Sequence, residues 1–298
     1  MSGQSKRESF QGRSIHSDFG LSVEIITDIS SLRARLKRES SIAFVPTMGG
    51  LHEGHMSLVR LAQQKSNCVV VSIFVNRLQF APTDDFDRYP RTLASDCDQL
   101  EHQNTDVVFA PDDNSLYPVR QEFMLEPPPV SNILEGEFRP GFFRGMATAV
   151  LKLFNIVQPH VAVFGKKDYQ QLHIMRELVQ QFNLPLEVVA GETVRTPDKL
   201  ALSSRNRYLS DEERVEAVQL YRALSQIKRE IEDGNNNFHA LEERAKENLC
   251  NRGWKPDYIT VQQRDTLLPA LNNGENKVIL GAAWLGKTRL IDNLEVTL

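Results

Sequence analysis

Cysteine is scarce in this chain. Cys68, Cys97 and Cys250 stand far apart in 298 residues and are odd in number. They form neither a disulfide framework nor a metal cluster, and they read as small hydrophobes of a protein kept in a reducing, cytoplasmic compartment. Long apolar runs are missing too: none reaches the roughly 18–20 residues of a spanning helix, so no membrane association is expected. Neither sign of charge dominates. Lys and Arg total 35 against 39 Asp and Glu, a net charge of −4. That balance excludes bulk electrostatic binding of nucleic acid or an anionic membrane, so a site for a phosphorylated ligand must gather positive charge locally. Repeats and low-complexity tracts are absent. Residues 1–22 lack the apolar segment of a secretory signal and read as a disordered extension.

What is present is a globular composition, 41% hydrophobic and 25% charged, with length for one large domain or two ordinary ones. The chain is organised around residues 45–58. An apolar run enters this stretch and an amphipathic run leaves it, which predicts strand, glycine-rich turn and helix. Gly49, Gly50 and Gly54 allow a sharp turn and close approach of a ligand. The N–H groups and positive dipole end of the following helix make an anion site there. His52 and His55 bracket the turn; neutral imidazoles donate hydrogen bonds to phosphate and protonated ones add charge. A zinc site is a poor rival, because the spacing is not H-E-x-x-H and no third ligand is near.

Other stretches repeat this logic. Residues 68–74, C-V-V-V-S-I-F, read as a strand buried on both faces of a parallel sheet. Asn76 and Gln79 follow at the strand's carboxyl end, where open α/β sheets bind ligands, although turn capping accounts for them equally well. Asp84, Asp85 and Asp87 suit either Mg²⁺ or a solvated loop. Residues 135–145 predict a loop before a helix at 146–157. Residues 160–164 predict a strand that runs into Gly165, Lys166, Lys167 and Asp168, then a helix to residue 182. The two lysines supply the missing local charge, and Asp168 is a candidate cap. Ser203, Ser204 and Arg205 pair hydroxyl donors with a guanidinium fork, a set suited to phosphate oxygens.

Beyond this the composition shifts. A capping box at Ser210–Glu213 predicts one long helix over 211–233, then a second at 238–251 and three short strands. Residues 281–288 fit G-x-x-x-x-G-K-T, but only ten residues follow and they read as strand. A strand–turn–strand with Gly286 in the turn is therefore expected, not a P-loop.

P-T-M-G-G-L-H-E-G-H at 46–55 resembles the signature of pantoate–β-alanine ligases, members of the H-x-G-H nucleotidyl-transfer superfamily. N-R-L-Q-F at 76–80, K-D-Y-Q-Q at 167–171 and S-S-R-N at 203–206 resemble the family in order, so the likeness covers nearly all the chain after residue 22. It implies ATP-dependent condensation of pantoate with β-alanine through pantoyl-adenylate, with Mg²⁺ and commonly a homodimer. A cytidylyl- or adenylyltransferase acting on a phosphorylated small molecule is the alternative, and a nucleotide-binding module without activity is a third reading. The implied ATP site is Met48, Gly49, Gly50, Leu51, His52, Glu53, Gly54 and His55, with Gly165, Lys166, Lys167, Asp168, Val194, Leu202, Ser203, Ser204 and Arg205. Gln79, Gln171, Asn76 and Met48 fall to pantoate and β-alanine. His55, His52, Lys167 and Arg205 fall to catalysis, His55 as proton donor; the metal ligands are not implied. The chain departs from the family at Arg77 for proline, Phe142 for histidine and Lys199 for glycine. If position 199 needs a positive φ, lysine there costs about 1 kcal/mol or more.

The expected fold is α/β: a Rossmann-like, doubly wound parallel sheet over 23–193, with a smaller C-terminal α+β lid domain over 194–298.

Overall fold

The computed structural model describes residues 23–81, 86–271, 274 and 276–297. The extension at 1–22, and Asp84 and Asp85 of the acidic cluster, lie outside the described residues.

The apolar runs form a six-stranded parallel sheet from β1 (Glu24–Ile26), β2 (Ile42–Thr47), β3 (Cys68–Ile73), β4 (Val107–Phe109), β5 (Val161–Gly165) and β6 (Glu187–Gly191). Its order is β1-β4-β3-β2-β5-β6, every pairing parallel. Side chains alternate along each strand, so Phe44, Val70 and Phe109 enter one core layer while Val45, Val71 and Val108 enter the other. The first layer is closed by α1 (Ile29–Leu36), α6 (Phe142–Val157) and α7 (Tyr169–Gln181); the second by α2 (Glu53–Gln63) and α3 (Leu93–His102). Both faces being covered explains the continuous β-branched runs. Asp28 caps α1 by accepting from the Ser31 N–H at 2.9 Å.

The chain leaves β2 toward β3 and β4 on one side, then crosses to β5 and β6 on the other. Beyond the carboxyl ends of β2 and β5 this reversal opens a crevice, the place where doubly wound sheets bind ligands.

Two helix boundaries differ from expectation. α6 begins at Phe142, not at 146, after the one-turn α5 (Glu135–Phe138). Gly141 at φ 82 turns the chain into the helix directly. Gly145, read as loop, lies inside α6; the position takes glycine because a Cβ there would sit 1.9 Å from the Leu78 carbonyl oxygen and 2.7 Å from the Gln79 nitrogen. The long helix predicted over 211–233 is two: α8 (Asp211–Glu216), opened by the Ser210–Glu213 capping box, and α9 (Val218–Glu232), separated at Ala217. A short α4 (Asp113–Leu116), capped by Asp112, occupies the expected turn after β4.

The remaining chain builds a second core. α9 presents Leu220, Leu224, Ile227 and Ile231 at helical spacing. With α10 (Phe238–Cys250) it covers an antiparallel sheet of β7 (Lys255–Gln263), β8 (Lys277–Leu285) and β9 (Thr288–Val296). The P-loop-like segment is a hairpin: Leu285 pairs with Thr288, and Gly286 takes φ 55 in the turn.

Candidate active site

The turn after β2 is held by a residue the sequence does not advertise. Gly49 and Gly50 adopt φ 83 and 63. The N–H groups of Gly50 and Leu51 then donate to the two carboxylate oxygens of Asp96, each at 2.9 Å, and Thr92 Oγ1 donates to the same carboxylate at 3.1 Å. Asp96 is buried in α3, 46 positions from the glycine it holds. No local spacing signals such a contact. The Gly49 N–H donates to Thr47 Oγ1 at 3.2 Å. The N–H groups of Gly49, Gly50 and Leu51 are thus consumed in building the turn.

The helix end is closed by the histidines themselves. His52 Nδ1 accepts the Gly54 N–H at 3.1 Å, and His55 Nδ1 accepts the His52 N–H at 3.3 Å. An imidazole that accepts at Nδ1 carries its proton on Nε2. Burial is the main force lowering the His55 pKa, to about 3, helped by His52 and the Lys167 ammonium. Burial also lowers His52, to about 4, with Lys167 next in weight. Both rings are neutral near pH 7, so each offers one Nε2–H donor and no charge. Of the two states open to these rings, burial favours the neutral donor.

Gln79 sits in a short turn after β3. Its Oε1 accepts from Asn76 Nδ2 at 3.0 Å, and its Nε2 lies 3.0 Å from Met48 Sδ. Asn76 is buried and fully engaged: Nδ2 also reaches the Gly145 carbonyl at 3.2 Å, and Oδ1 accepts from the Leu78 N–H and the Tyr117 hydroxyl. Asn76 therefore orients Gln79 so that its NH₂ is the end left to donate. Arg77 lays its guanidinium over the Phe86 ring at 4.3 Å, and the turn forms without proline.

Beyond β5, Lys166 and Lys167 part company. Lys166 Nζ pairs with Glu192 and Glu295 at 2.6 and 2.9 Å. Lys167 faces the crevice, with Asp168 3.8 Å away. Gln171, one turn into α7, has no side-chain hydrogen bond among the described residues and lines the same crevice. Its neighbour Gln170 is buried and binds the Val130 and Ile133 carbonyls. Ser203, Ser204 and Arg205 arrive from a hairpin in which Arg195 pairs with Ala201. Ser203 Oγ accepts the Arg205 N–H at 3.2 Å.

These loops enclose two joined cavities. The smaller, about 220 Å³, is lined by Met48, His52, Gly54 and His55 from the first turn and by Asn76 and Gln79 from the second. Gly165, Lys167, Asp168 and Gln171 line it from the β5 side, and Val194, Leu202, Ser203, Ser204 and Arg205 from the hairpin side. The larger, about 540 Å³, lies against β8 and β9 and meets the first at Lys167, Asp168, Gln171, Ser203, Arg205 and the Arg139–Phe142 pair. Phe142 lies under the Arg139 guanidinium, 3.7 Å from ring centroid to carbon. Gly49, Gly50, Leu51, Glu53 and Lys166 are not among the lining residues. Glu53 turns outward to Arg60, and the other four are held as described.

Lys199 adopts φ 81, the conformation that favours glycine, in the hairpin bend closed by its N–H to the Thr196 carbonyl at 2.8 Å. Among the described residues no group of three or more His, Cys, Asp or Glu is placed to hold a metal by itself.

A crevice at the reversal of a doubly wound sheet, furnished with neutral imidazole donors, a lysine, hydroxyls and an arginine, is that of an α/β protein that handles a phosphorylated ligand beside a small polar one. The family described as pantoate-beta-alanine ligase matches residues 24–295. This chain belongs to that family. It is 68% identical to a pantothenate synthetase of Nitrosospira multiformis over 275 residues, covering 92% of this chain and 99% of that one. Its identity to the Nitrosomonas europaea pantothenate synthetase is 61%, covering 93% and 100%. Among solved structures, a pantothenate synthetase from Thermus thermophilus superposes with a TM-score of 0.87 at 41% identity, covering 92% and 99%. The Francisella tularensis pantoate-beta-alanine ligase, complexed with beta-gamma ATP and beta-alanine, gives 0.73 at 34%, covering 92% and 98%.

Proposed function

We propose that this chain condenses (R)-pantoate with β-alanine at the expense of ATP. A pantoate carboxylate oxygen attacks the α-phosphorus of ATP, the bond to the bridging oxygen breaks, and pyrophosphate leaves with the electron pair. The β-alanine amine then attacks the acyl carbon of pantoyl-adenylate, the bond to the phosphate oxygen breaks, AMP leaves, and the new amide nitrogen gives up its proton.

The supporting observation is the meeting of two kinds of group in one crevice. Nε2–H donors on His52 and His55, the Lys167 ammonium, Ser203, Ser204 and Arg205 suit negative charge that builds on the leaving phosphate oxygens. The amides of Gln79 and Gln171 suit alignment of a hydroxy acid. His55, neutral and donating through Nε2, acts here as a hydrogen-bond donor to the departing oxygen. Met48 and Asn76 set the Gln79 amide, while Val194, Leu202, Gly54 and Gly165 shape the nucleotide's walls.

Mg²⁺ in nucleotide sites is held by one or two carboxylates plus phosphate oxygens and water. Asp168 fits this need. Glu135, Asp257 and Asp292 are tied closely to arginines and Glu192 to Lys166, whereas the Asp168 carboxylate, 3.8 Å from the Lys167 ammonium, is half exposed at the crevice. When bound, the ion would neutralise charge on the phosphates.

The enzyme works in the cytoplasm, where Cys68, Cys97 and Cys250, all unpaired, stay reduced. It works as a homodimer. Mass measurement by light scattering checks the dimer.

AMP release is followed with each of ATP, pantoate and β-alanine omitted in turn. The reading requires all three for sustained release. A nucleotidyltransferase acting on a phosphorylated small molecule gives none with these substrates, and AMP release indifferent to pantoate would overturn the reading.

A further inference from the structure

One strand, β9, grips both loops that carry the crevice's cationic and hydroxyl groups. Asn293 Nδ2 donates to the carbonyls of Lys166 and Lys167, each at 2.9 Å. On the neighbouring position, Asp292 accepts two bonds from Arg195, each at 2.7 Å. Arg195 continues to the carbonyls of Lys199 and Asn293, both at 3.2 Å, and so anchors the hairpin that delivers Ser203 and Arg205. Asp292 and Asn293 are each only 5% exposed, so these bonds compete little with water.

The turn between β5 and α7 needs such help. Neither Gly165 nor Asp168 supplies a side-chain cap to the helices that start there. The turn's main chain is held instead from 126 positions further along the chain.

We infer that Asn293 is a positioning residue for Lys167: its two bonds to the turn's carbonyls set where the Lys167 ammonium stands in the crevice. The inference rests on the proposed reaction for what Lys167 does there. Because both Nδ2 bonds go to main-chain carbonyls, Asn293 acts through the turn that carries the lysine. Loss of the donor lets the turn drift, and a displacement of about 1 Å in a catalytic group lowers rate up to roughly 100-fold.

A double-mutant cycle on the full-length enzyme tests this, with kcat/KM for AMP release and ATP affinity by calorimetry as readouts. Asn293→Ala is expected to lower kcat/KM about 10- to 100-fold. In a Lys167→Ala background the same change is expected to cost no more than about twofold, because the group it positions is gone. Asn293→Asp keeps the shape but has no donor and should fall like alanine; Asn293→Ser serves for the cycle if circular dichroism shows either variant unfolded. Full additivity, an unaffected Asn293→Ala enzyme, or a silent Lys167→Ala would each overturn the inference. A wild-type chain that binds ATP but releases no AMP counts against the proposed reaction alone, and the cycle in ATP affinity still reads the coupling of the two residues.

Discussion

His55 Nδ1 accepts the main-chain N–H of His52 at 3.3 Å, and the two rings stand 4.2 Å apart. Each imidazole thus spends one nitrogen on closing the helix end and keeps the other for the crevice. In the proposed reaction, structure and chemistry are served by the same two side chains, which shapes the effect of changing either.

His55→Ala is expected to lower kcat by about 10²–10³-fold, the usual loss for one donor aimed at developing charge, while ATP affinity changes only a few-fold. It also unties a helix cap, worth about 1 kcal/mol. Steady-state kinetics, calorimetry and thermal unfolding on one sample separate these effects. Loss of ATP affinity at unchanged kcat would make His55 a binding group only.

Acid should destabilise the protein through the same pair. Both histidines are held neutral in the fold, with pKa values of about 4 and about 3, below the ordinary 6.5. As pH falls below 6.5 the unfolded chain takes up protons that the folded one does not, so stability drops progressively toward pH 4. Above 6.5 both states are neutral and this contribution is flat. Denaturation midpoints measured at several pH values should show the slope reduced in His52→Asn. Nitrogen NMR near neutral pH should show both rings as neutral Nε2–H tautomers.

Gly145→Ala should damage the pantoate side without touching it. The added Cβ meets the Leu78 carbonyl at 1.9 Å, so the turn that carries Gln79 must move. Overpacking of this kind costs about 1–3 kcal/mol. The expected signature is a raised KM for pantoate with the KM for ATP little changed, alongside a lowered melting temperature. Equal rises in both would place the damage elsewhere.

Lys199→Gly should stabilise the chain. Lysine at φ 81 carries about 1 kcal/mol of strain that glycine removes. For a chain of this size that is a rise of about 2–4 °C in melting temperature by calorimetry. The bend's bond to Thr196 is main-chain and stays. No rise would mean that the hairpin already relieves the strain.

Much of this was legible from residue pattern. The β-branched runs and glycine turns gave the parallel sheet, and the motifs gave the groups that line the crevice. Misreadings came where long-range contacts decide a residue's role. The part played by Asp96 in the turn after β2 was hidden because it lies 45 and 46 positions from the N–H groups it accepts. Lys166 looked equivalent to Lys167 until Glu295 of β9 claimed it. Gly145 looked like loop because glycine lowers helix propensity, while the contact that demands it is with another element. Asn293 carries no motif at all; only the seating of β9 on the β5–α7 turn gives it a part.

The most direct measurement is exchange of labelled pyrophosphate into ATP, with and without pantoate and with no β-alanine present. Reversible formation of an acyl-adenylate in this crevice predicts exchange that needs pantoate and is largely lost in Lys167→Ala. Exchange that proceeds equally without pantoate, or no exchange from an enzyme that still makes product, would contradict it.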